Sequence, residues 1–371
     1  MKWPELELFI THIEMKKLRF HTPNTTGKSK CHKLHVGKYN PVCPKLLVHG
    51  TPMECVESDT YLGDVISANG SNTQNIKARI SRGNGIIAQI KKYLETICFG
   101  SHFFKIALLL RESLFLSSIL TNSESWYGLT KSEITDLESL DLVFFRSLFD
   151  VPQTTPTIAF YIETGSLCIG TILKVKRISY LHYLVKLDKS EMLSKFFFVQ
   201  WENPVALDWT SEVKKNLIEL GLSTDLEEIE KMSKHVFKNL VKKHAKNYEF
   251  QRLLKYKETK SKLKNLQYTE FKLQDYLLLK NMNTCQAKAL FKFRVRMAPF
   301  GQNFRGGQEI VICPFCKNHP DGQEESWSCT KMKSVLNIQG DYKEIFGRMF
   351  SKEVIESVQN LYTFREEFRK L

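Results

Sequence analysis

Apolar residues recur with a helical period along most of the chain. The clearest case begins after Ser71 or Asn72, either of which can cap the first turn of a helix through its short side-chain oxygen. From there the apolar positions alternate in steps of four and three residues, which places them on one face of a long helix. They are Ile76, Ile80, Gly83, Ile87, Ile90, Leu94 and Ile97. Similar periods predict helices over residues 5–20, 102–120, 131–149 (capped by Thr130) and 170–187.

Short strand-like runs precede the long helix. Residues 30–36, 45–48 and 60–67 favour strands, and Pro41 and Pro44 separate the first two runs. A turn at residues 68–70 joins the last run to the helix. The predicted fold class is therefore mainly α, with a small N-terminal antiparallel β element, helical middle domains and a short cysteine-rich segment near the C-terminus.

The chain carries an excess of positive charge. There are 54 Lys and Arg residues against 40 Asp and Glu, a formal net charge of +14, which favours a polyanionic partner. Residues 231–300 hold 18 basic and 4 acidic residues and so account for the whole excess. Aromatic residues alternate with the basic ones there: Phe237, Tyr248, Phe250, Tyr256, Tyr268, Phe271, Tyr276, Phe291 and Phe293.

Two interpretations of this segment stay open. Lysines can neutralise phosphates while aromatic rings stack on bases. Alternatively, the segment is a helical bundle with a lysine-rich exterior and an aromatic core. The candidates for phosphate contact in it are Lys238, Lys242, Lys243 and Lys246. The long helix has the same ambiguity, because its basic residues lie off the apolar stripe and form either a solvated face or a phosphate-facing one. They are Lys77, Arg79, Arg82, Lys91 and Lys92.

A cysteine cluster follows the glycine-rich stretch 301–307. Cys313, Cys316, His319 and Cys329 give the spacing C-x2-C-x2-H-x9-C. A C-x2-C turn lets two thiolates reach one ion, and Zn²⁺ takes four nitrogen or sulfur ligands in a tetrahedron, so the spacing predicts a zinc knuckle. His319 lies closer to the second cysteine than in common knuckles, and a degenerate knuckle or free thiols are the alternative.

Several classes of protein are disfavoured by what the sequence lacks. The other six of the nine cysteines are scattered, which is typical of a reducing compartment rather than a disulfide framework. No apolar run reaches the 18 residues of a membrane span, and no signal peptide is evident. We therefore expect an intracellular protein, nuclear or cytoplasmic, with no membrane partner. The sequence also has no adjacent Asp-Asp pair, P-loop or hydrolase motif, so no catalytic residue is predicted.

Four stretches carry a family resemblance. They are KSKCHKLHVGK at 28–38, YLGDVISANGSNTQNIKARISRGNG at 61–85, SILTNSESWYGLT at 118–130 and the knuckle at 313–329. Together they resemble the part of non-LTR (LINE-type) retrotransposon reverse transcriptases that follows the active-site aspartates. The resemblance implies that Lys30 is the counterpart of the lysine near the incoming nucleotide. It also implies that Tyr61, Leu62 and Gly63 belong to a primer grip.

The same resemblance implies a domain organisation. It gives a palm remnant with a primer-grip-like hairpin at 1–70, thumb-like helices at 71–200, a basic helical linker that holds template RNA at 201–300, a zinc-knuckle-like segment at 301–335 and C-terminal helices at 336–371. The chain departs from the family at Glu325, near the place where the family's knuckles more often carry their histidine.

The fingers and the catalytic palm of the family have no counterpart in the sequence. We therefore expect a partial reverse transcriptase, from a truncated or partial reading frame, that binds RNA or an RNA–DNA hybrid and does not polymerise by itself. Mg²⁺ is expected only if a catalytic palm from the remaining reverse transcriptase domains completes it. The alternative is a helical nucleic-acid-binding or protein-interaction scaffold with no polymerase role.

Overall fold

The computed structural model describes residues 30–32, 47–48, 51–52, 54–61, 63–96, 102–205, 208–278, 282–304, 311–347 and 350–370. The chain divides into two compact units, Met1–Arg79 and Ile80–Leu371, so the boundary falls inside the long helix rather than at residue 70. The other three predicted boundaries lie within the second unit. The mainly α fold class with a small N-terminal antiparallel element is confirmed. The helix predicted at 5–20 lies outside the described residues.

The first unit contains the strands. They are β1 (Lys30–His32), β2 (Leu47–Val48), β3 (Thr51–Pro52), β4 (Glu54–Val56), β5 (Ser58–Tyr61) and β6 (Asp64–Ser67). β2 pairs with β3 and β5 with β6 in antiparallel fashion, whereas β1 pairs with β4 in parallel. Two of the three described strand pairs are thus antiparallel, as predicted, and the third is parallel. The run at 60–67, predicted as one strand, contains the end of β5, a turn and β6, and Gly63 in that turn takes a positive φ of 87°.

The long helix α1 spans Thr73–Thr96. Its apolar stripe is confirmed, since Ile76, Gly83, Ile87, Ile90 and Leu94 are all buried. Ile80 is half-buried, and Ile97 lies outside the described residues.

Helices account for most of the second unit. They are α2 (Phe103–Leu110), α3 (Lys131–Phe149), α4 (Thr157–Thr164), α5 (Ile169–Val185), α6 (Met192–Glu202), α7 (Trp209–Glu219), α8 (Leu226–Lys231), α9 (Lys234–Glu258), α10 (Thr284–Arg294), α11 (Gly301–Phe304), α12 (Gln323–Ser328), α13 (Thr330–Leu336) and α14 (Lys352–Lys370). Short 3₁₀ turns lie at Ser123–Ser125, Ser261–Leu263, Asp275–Leu278 and Tyr342–Phe346. α2 continues through a π-helical stretch, Arg111–Leu116, to a last turn at Ser117–Ile119.

Two devices fix α3. Thr130 caps its first turn as predicted, in a reciprocal capping box with Glu133. Arg111, in the π-helical stretch, forms a buried bidentate ion pair with Asp141 of α3, at 2.7 and 2.6 Å. The Tyr161 hydroxyl of α4 donates to the same carboxylate at 3.1 Å. Because each buried charge has a partner, the desolvation cost of this pair is offset.

Two apolar clusters form the core of the second unit. In the first, stacked rings join α3, α4 and α10, and the centroids of Phe149 and Phe291 are 4.0 Å apart. In the second, α5 packs with α6 to α9. α9 contributes Phe237, Val241 and Ala245 to it, so one face of α9 is turned inward. His182 of α5 is buried and stacks on Phe237, so it contributes to this packing.

In the ranges described, no single helix combines the length and apolar composition needed to cross a bilayer. α4 and α5 meet that criterion only when they are taken together across a 53° bend.

Candidate metal centre and basic surfaces

The fold brings the four predicted metal ligands together. The ligand atoms of Cys313, Cys316, His319 and Cys329 all lie within 4.8 Å of one another. Cys313 and Cys329 are buried, while Cys316 and His319 are half-buried. A tetrahedral site with metal–sulfur bonds near 2.3 Å places its ligand atoms roughly 3.8 Å apart, which this cluster reaches with small movements. The cluster can therefore hold a metal ion, and its donor set is compatible with zinc.

A short hairpin positions three of the ligands. Ile312 and Pro320 form an antiparallel bridge, and the Cys313 amide donates to the His319 carbonyl at 2.8 Å. Lys317 turns the chain with a positive φ of 59°. The fourth ligand, Cys329, lies at the junction where α12 ends and α13 begins. Three ligands from the hairpin and one from the helix junction thus converge, as a closed structural site requires.

The imidazole of His319 is oriented for metal binding. Its Nδ1 lies 3.1 Å from the Pro320 carbonyl oxygen, which can only accept, so Nδ1 carries the proton. Its Nε2 is buried and has no hydrogen-bond partner. A buried nitrogen without a partner is costly, and a metal ion in the cluster would satisfy it. This orphaned atom fits His319 as the fourth ligand and makes the degenerate-knuckle alternative harder to support.

The two thiols of the C-x2-C turn differ in acidity. Burial raises the pKa of the Cys313 thiol. Desolvation also acts to raise the pKa of Cys316, but hydrogen bonds from the Asn318 amide and from Cys313 outweigh it, and the pKa falls to about 7. The Asn318 amide nitrogen lies 3.4 Å from the Cys316 sulfur. Backbone donors aimed at a sulfur favour the thiolate, which is the form that binds metal.

The side chains that support this cluster were not predicted from the sequence. Phe315, between the two cysteines of the turn, packs against Phe364 and Phe368 of α14. Asp321, two residues after His319, forms a buried ion pair with Arg365 of α14 at 2.5 Å. No spacing in the sequence connects residues 315–321 with 364–368, so only their packing reveals the contact.

The predicted phosphate-binding lysines of α9 are all exposed. Lys238, Lys242, Lys243 and Lys246 lie on the exposed surface of α9, and Lys234 extends the row. None of them forms an ion pair with any residue that the structure describes. Because lysines 234, 238, 242 and 246 are four residues apart, each step rises by about 6 Å and the row is roughly 18 Å long.

The aromatic residues of 231–300 are divided between the core and the partly exposed surface. Phe237, Tyr276, Phe291 and Phe293 are buried, and five of the predicted stacking residues (Tyr248, Phe250, Tyr268, Phe271 and Tyr256) are half-buried or exposed. Only Tyr256 among the nine is more than half exposed, at 52%. The second interpretation, an aromatic core, therefore describes four of the nine rings, and the other five keep part of their surface accessible.

Part of the positive charge in this segment is also used internally. Arg294 is buried against Glu163 at 2.9 Å, and the Tyr268 hydroxyl donates to the same carboxylate at 2.6 Å. Lys257 is buried and donates to the Leu266 carbonyl at 3.0 Å. Lys292 pairs with Asp150 at 3.1 Å. The accessible charge is therefore concentrated on the exposed face of α9.

On α1 the predicted basic face is only partly present. Lys77, Arg82, Lys91 and Lys92 are exposed. Arg79 is not, and its assignment to a phosphate-facing surface is wrong: it is 1% exposed and forms an ion pair with Asp64 of β6. Its Nε also donates to the Asn75 side chain at 3.3 Å. The sequence signal for this pair was weak, because Asp64 lies 15 residues earlier on a strand.

The remaining candidates are in the first unit. Lys30 begins β1 and Tyr61 ends β5, while Gly63 forms the turn before β6. Leu62 lies outside the described residues. A hairpin is therefore present where the primer-grip resemblance places one. This agreement concerns the backbone only.

No protein-family model, no curated protein and no solved structure matches the chain. Any inference about its function therefore rests on the geometry of the metal cluster and of the basic surfaces.

Proposed function

We propose that this protein is a nucleic-acid-binding module of the reverse transcriptase type, stabilised by a structural zinc ion and without polymerase chemistry of its own. The observation that carries the proposal is the row of exposed lysines on α9. The motif resemblance to the C-terminal part of non-LTR reverse transcriptases supplies the expected ligand, RNA or an RNA–DNA hybrid.

The lysine row suits a polyanion for two reasons. From residue 234 to residue 248 the helix contains no acidic residue, so nothing on α9 offsets its charge there. The buried face of the same helix is held in the core by Phe237, Val241 and Ala245, so the row is presented on a rigid element. Lysines that displace counterions from phosphates give affinity that depends steeply on salt.

The metal cluster supplies structure rather than chemistry. Three thiolates and one imidazole complete a tetrahedron, which leaves no position open for a water or substrate. Cys313, Cys316, His319 and Cys329 would hold the ion, and binding energy there is folding energy for a segment with little secondary structure. Zn²⁺ is the ion of choice for this donor set.

Binding is tested with fluorescently labelled RNA and RNA–DNA hybrid, measured by anisotropy over a range of salt. In the variant with Lys238, Lys242, Lys243 and Lys246 all changed to Glu, we expect affinity to fall by at least tenfold. If all four contact phosphates, the slope of log affinity against log salt should become shallower by about three. The matched control reverses four exposed lysines elsewhere, Lys186, Lys189, Lys343 and Lys352.

The outcomes separate the two candidate functions. Equal losses in both variants would reduce the effect to net charge and remove the case for α9. Wild-type affinity in both variants would favour the protein-interaction scaffold, in which the lysines only solubilise. Primer extension by the purified chain would contradict the absence of polymerase chemistry.

Zinc is tested independently by elemental analysis of the purified protein. We expect one equivalent in the wild type, a loss of that equivalent in Cys313→Ser, and no change in Cys285→Ser, which removes an exposed thiol outside the cluster. Wild-type protein without stoichiometric zinc would contradict this part of the proposal.

A further inference from the structure

The metal cluster contacts the C-terminal half of α14 through the residue between its first two ligands. Phe315 lies in the C-x2-C turn, and its ring centroid is 5.0 Å from those of both Phe364 and Phe368. Because Phe315 lies between Cys313 and Cys316 in the turn, a change in the positions of these two ligands also moves its ring. The aromatic contact is therefore sensitive to the geometry of the ligands.

A buried ion pair makes a second contact. The Asp321 carboxylate accepts from Arg365 of α14 at 2.5 Å and from the Gly301 amide at 2.8 Å. The Asp321 amide donates to the Val311 carbonyl at 2.6 Å. Asp321 thus closes the hairpin that carries Cys313 and His319, and Arg365 holds that end of it. Both charged side chains are about 95% buried, so neither tolerates loss of the other.

The N-terminal half of α14 is anchored without the metal cluster. Val354, Val358 and Leu361 are buried there. The Ser357 hydroxyl accepts from the Gln339 amide at 2.7 Å and donates to its carbonyl at 3.0 Å. The two halves of α14 therefore differ in that only the C-terminal half contacts the hairpin of the metal cluster. That half has further contacts, because Lys292 donates to the Tyr362 hydroxyl and Arg365 Nε donates to the Pro299 carbonyl at 3.1 Å.

We propose that residues 362–368 of α14 form the outer support of the metal site, with Arg365 as its positioning residue, so that metal binding and docking of this half-helix depend on each other. The inference rests on metal binding as proposed above. Because coupling of two equilibria is reciprocal, the ion should order residues 362–368 and those residues should tighten the ion.

Hydrogen exchange on the full-length protein tests the first half of this statement. The zinc-loaded wild type is compared with the same protein after removal of the metal by a chelator. We expect amides at 362–368 to exchange at least tenfold faster without metal, while those at 354–361 and in α3 are unchanged. Equal exchange at 362–368 in the two states, or a loss of protection spread equally to α3, would overturn the proposal.

Zinc affinity tests the second half. Outer-shell partners are typically worth about 10- to 100-fold in metal affinity, so Arg365→Met should weaken zinc binding in a chelator competition by about that factor. Lys352→Met, which removes an exposed charge from the same helix, is the matched control. Phe368→Ala, a half-exposed side chain less important for folding, should weaken binding in the same direction. Unchanged zinc affinity in both Arg365→Met and Phe368→Ala would overturn the proposal.

These results are distinguishable from failure of the proposed function. If the wild type holds no stoichiometric zinc, the metal site itself is wrong. If it holds zinc and residues 362–368 do not respond, only the coupling is wrong.

Discussion

Gly83 offers a direct test of how closely α1 is packed. A Cβ atom at this position would lie 2.6 Å from Leu140 Cδ2, 3.0 Å from Ile119 Cγ2 and 3.2 Å from Phe115 Cε2. All three side chains are buried, so none can move aside into solvent. Gly85, two residues further along the same helix, is exposed and would have no atom within 4 Å of its Cβ.

The two substitutions to alanine therefore separate two effects. Alanine is favoured over glycine in a helix interior by about 0.5–1 kcal/mol, and both variants gain this amount. Only Gly83→Ala also overpacks the core, which costs about 1–3 kcal/mol. We expect Gly85→Ala to stabilise the protein by up to about 1 kcal/mol and Gly83→Ala to destabilise it by about 0.5–2 kcal/mol. The difference between the variants isolates the packing cost.

Urea-induced unfolding followed by tryptophan fluorescence measures this difference, because every tryptophan except Trp3 lies in residues 80–371. The zinc content of the samples must be equal. If Gly83→Ala is as stable as Gly85→Ala, the close approach at Gly83 is refuted, and with it the packing assigned to this face of α1.

Two further predictions concern buried chemistry. Asp141→Asn removes the charge that Arg111 needs in the core, so it should destabilise the protein by about 3–5 kcal/mol. The exposed Asp136→Asn is the control and should change stability little, and thermal denaturation compares the two variants. Burial raises the pKa of Cys168 to about 12, so folded protein treated with iodoacetamide at neutral pH should be labelled at the exposed Cys285 and not at Cys168. Mass spectrometry of the labelled peptides checks this, and rapid labelling of Cys168 in the folded state would contradict its burial.

Properties that depend on residues close in sequence were predictable. The stripe of α1 from Ile76 to Leu94 follows from the helical period, which is fixed by backbone geometry. The Thr130 cap of α3 was predicted for the same reason, since its partner Glu133 is one turn away. The metal ligands were also within reach, because the C-x2-C turn is local and few other donors lie nearby.

Properties that depend on residues distant in the sequence were not predictable. Arg79 lies at the edge of the apolar stripe, three residues after Ile76 and four before Gly83, whereas Arg82 lies off the stripe and is exposed. The distant Asp64 supplies the partner that allows the charge of Arg79 to be buried. The strands were misjudged for a related reason. Two or three residues do not encode whether a strand pairs in parallel, as β1 does with β4, or in an antiparallel hairpin.

The basic segment, residues 231–300, shows most clearly the difference between what local sequence determines and what distant partners determine. The sequence by itself determined that residues 231–300 carry the net positive charge, because composition is a local property. Only the tertiary structure decided that Arg294, Lys257 and Lys292 bind internal partners. It also decided which four of the nine aromatic rings are buried. The same is true of Arg365, whose partner Asp321 lies 44 residues away. A charge or a ring has the same appearance in a sequence whether it faces solvent or the core, and its burial is set by which distant side chain offsets the loss of water.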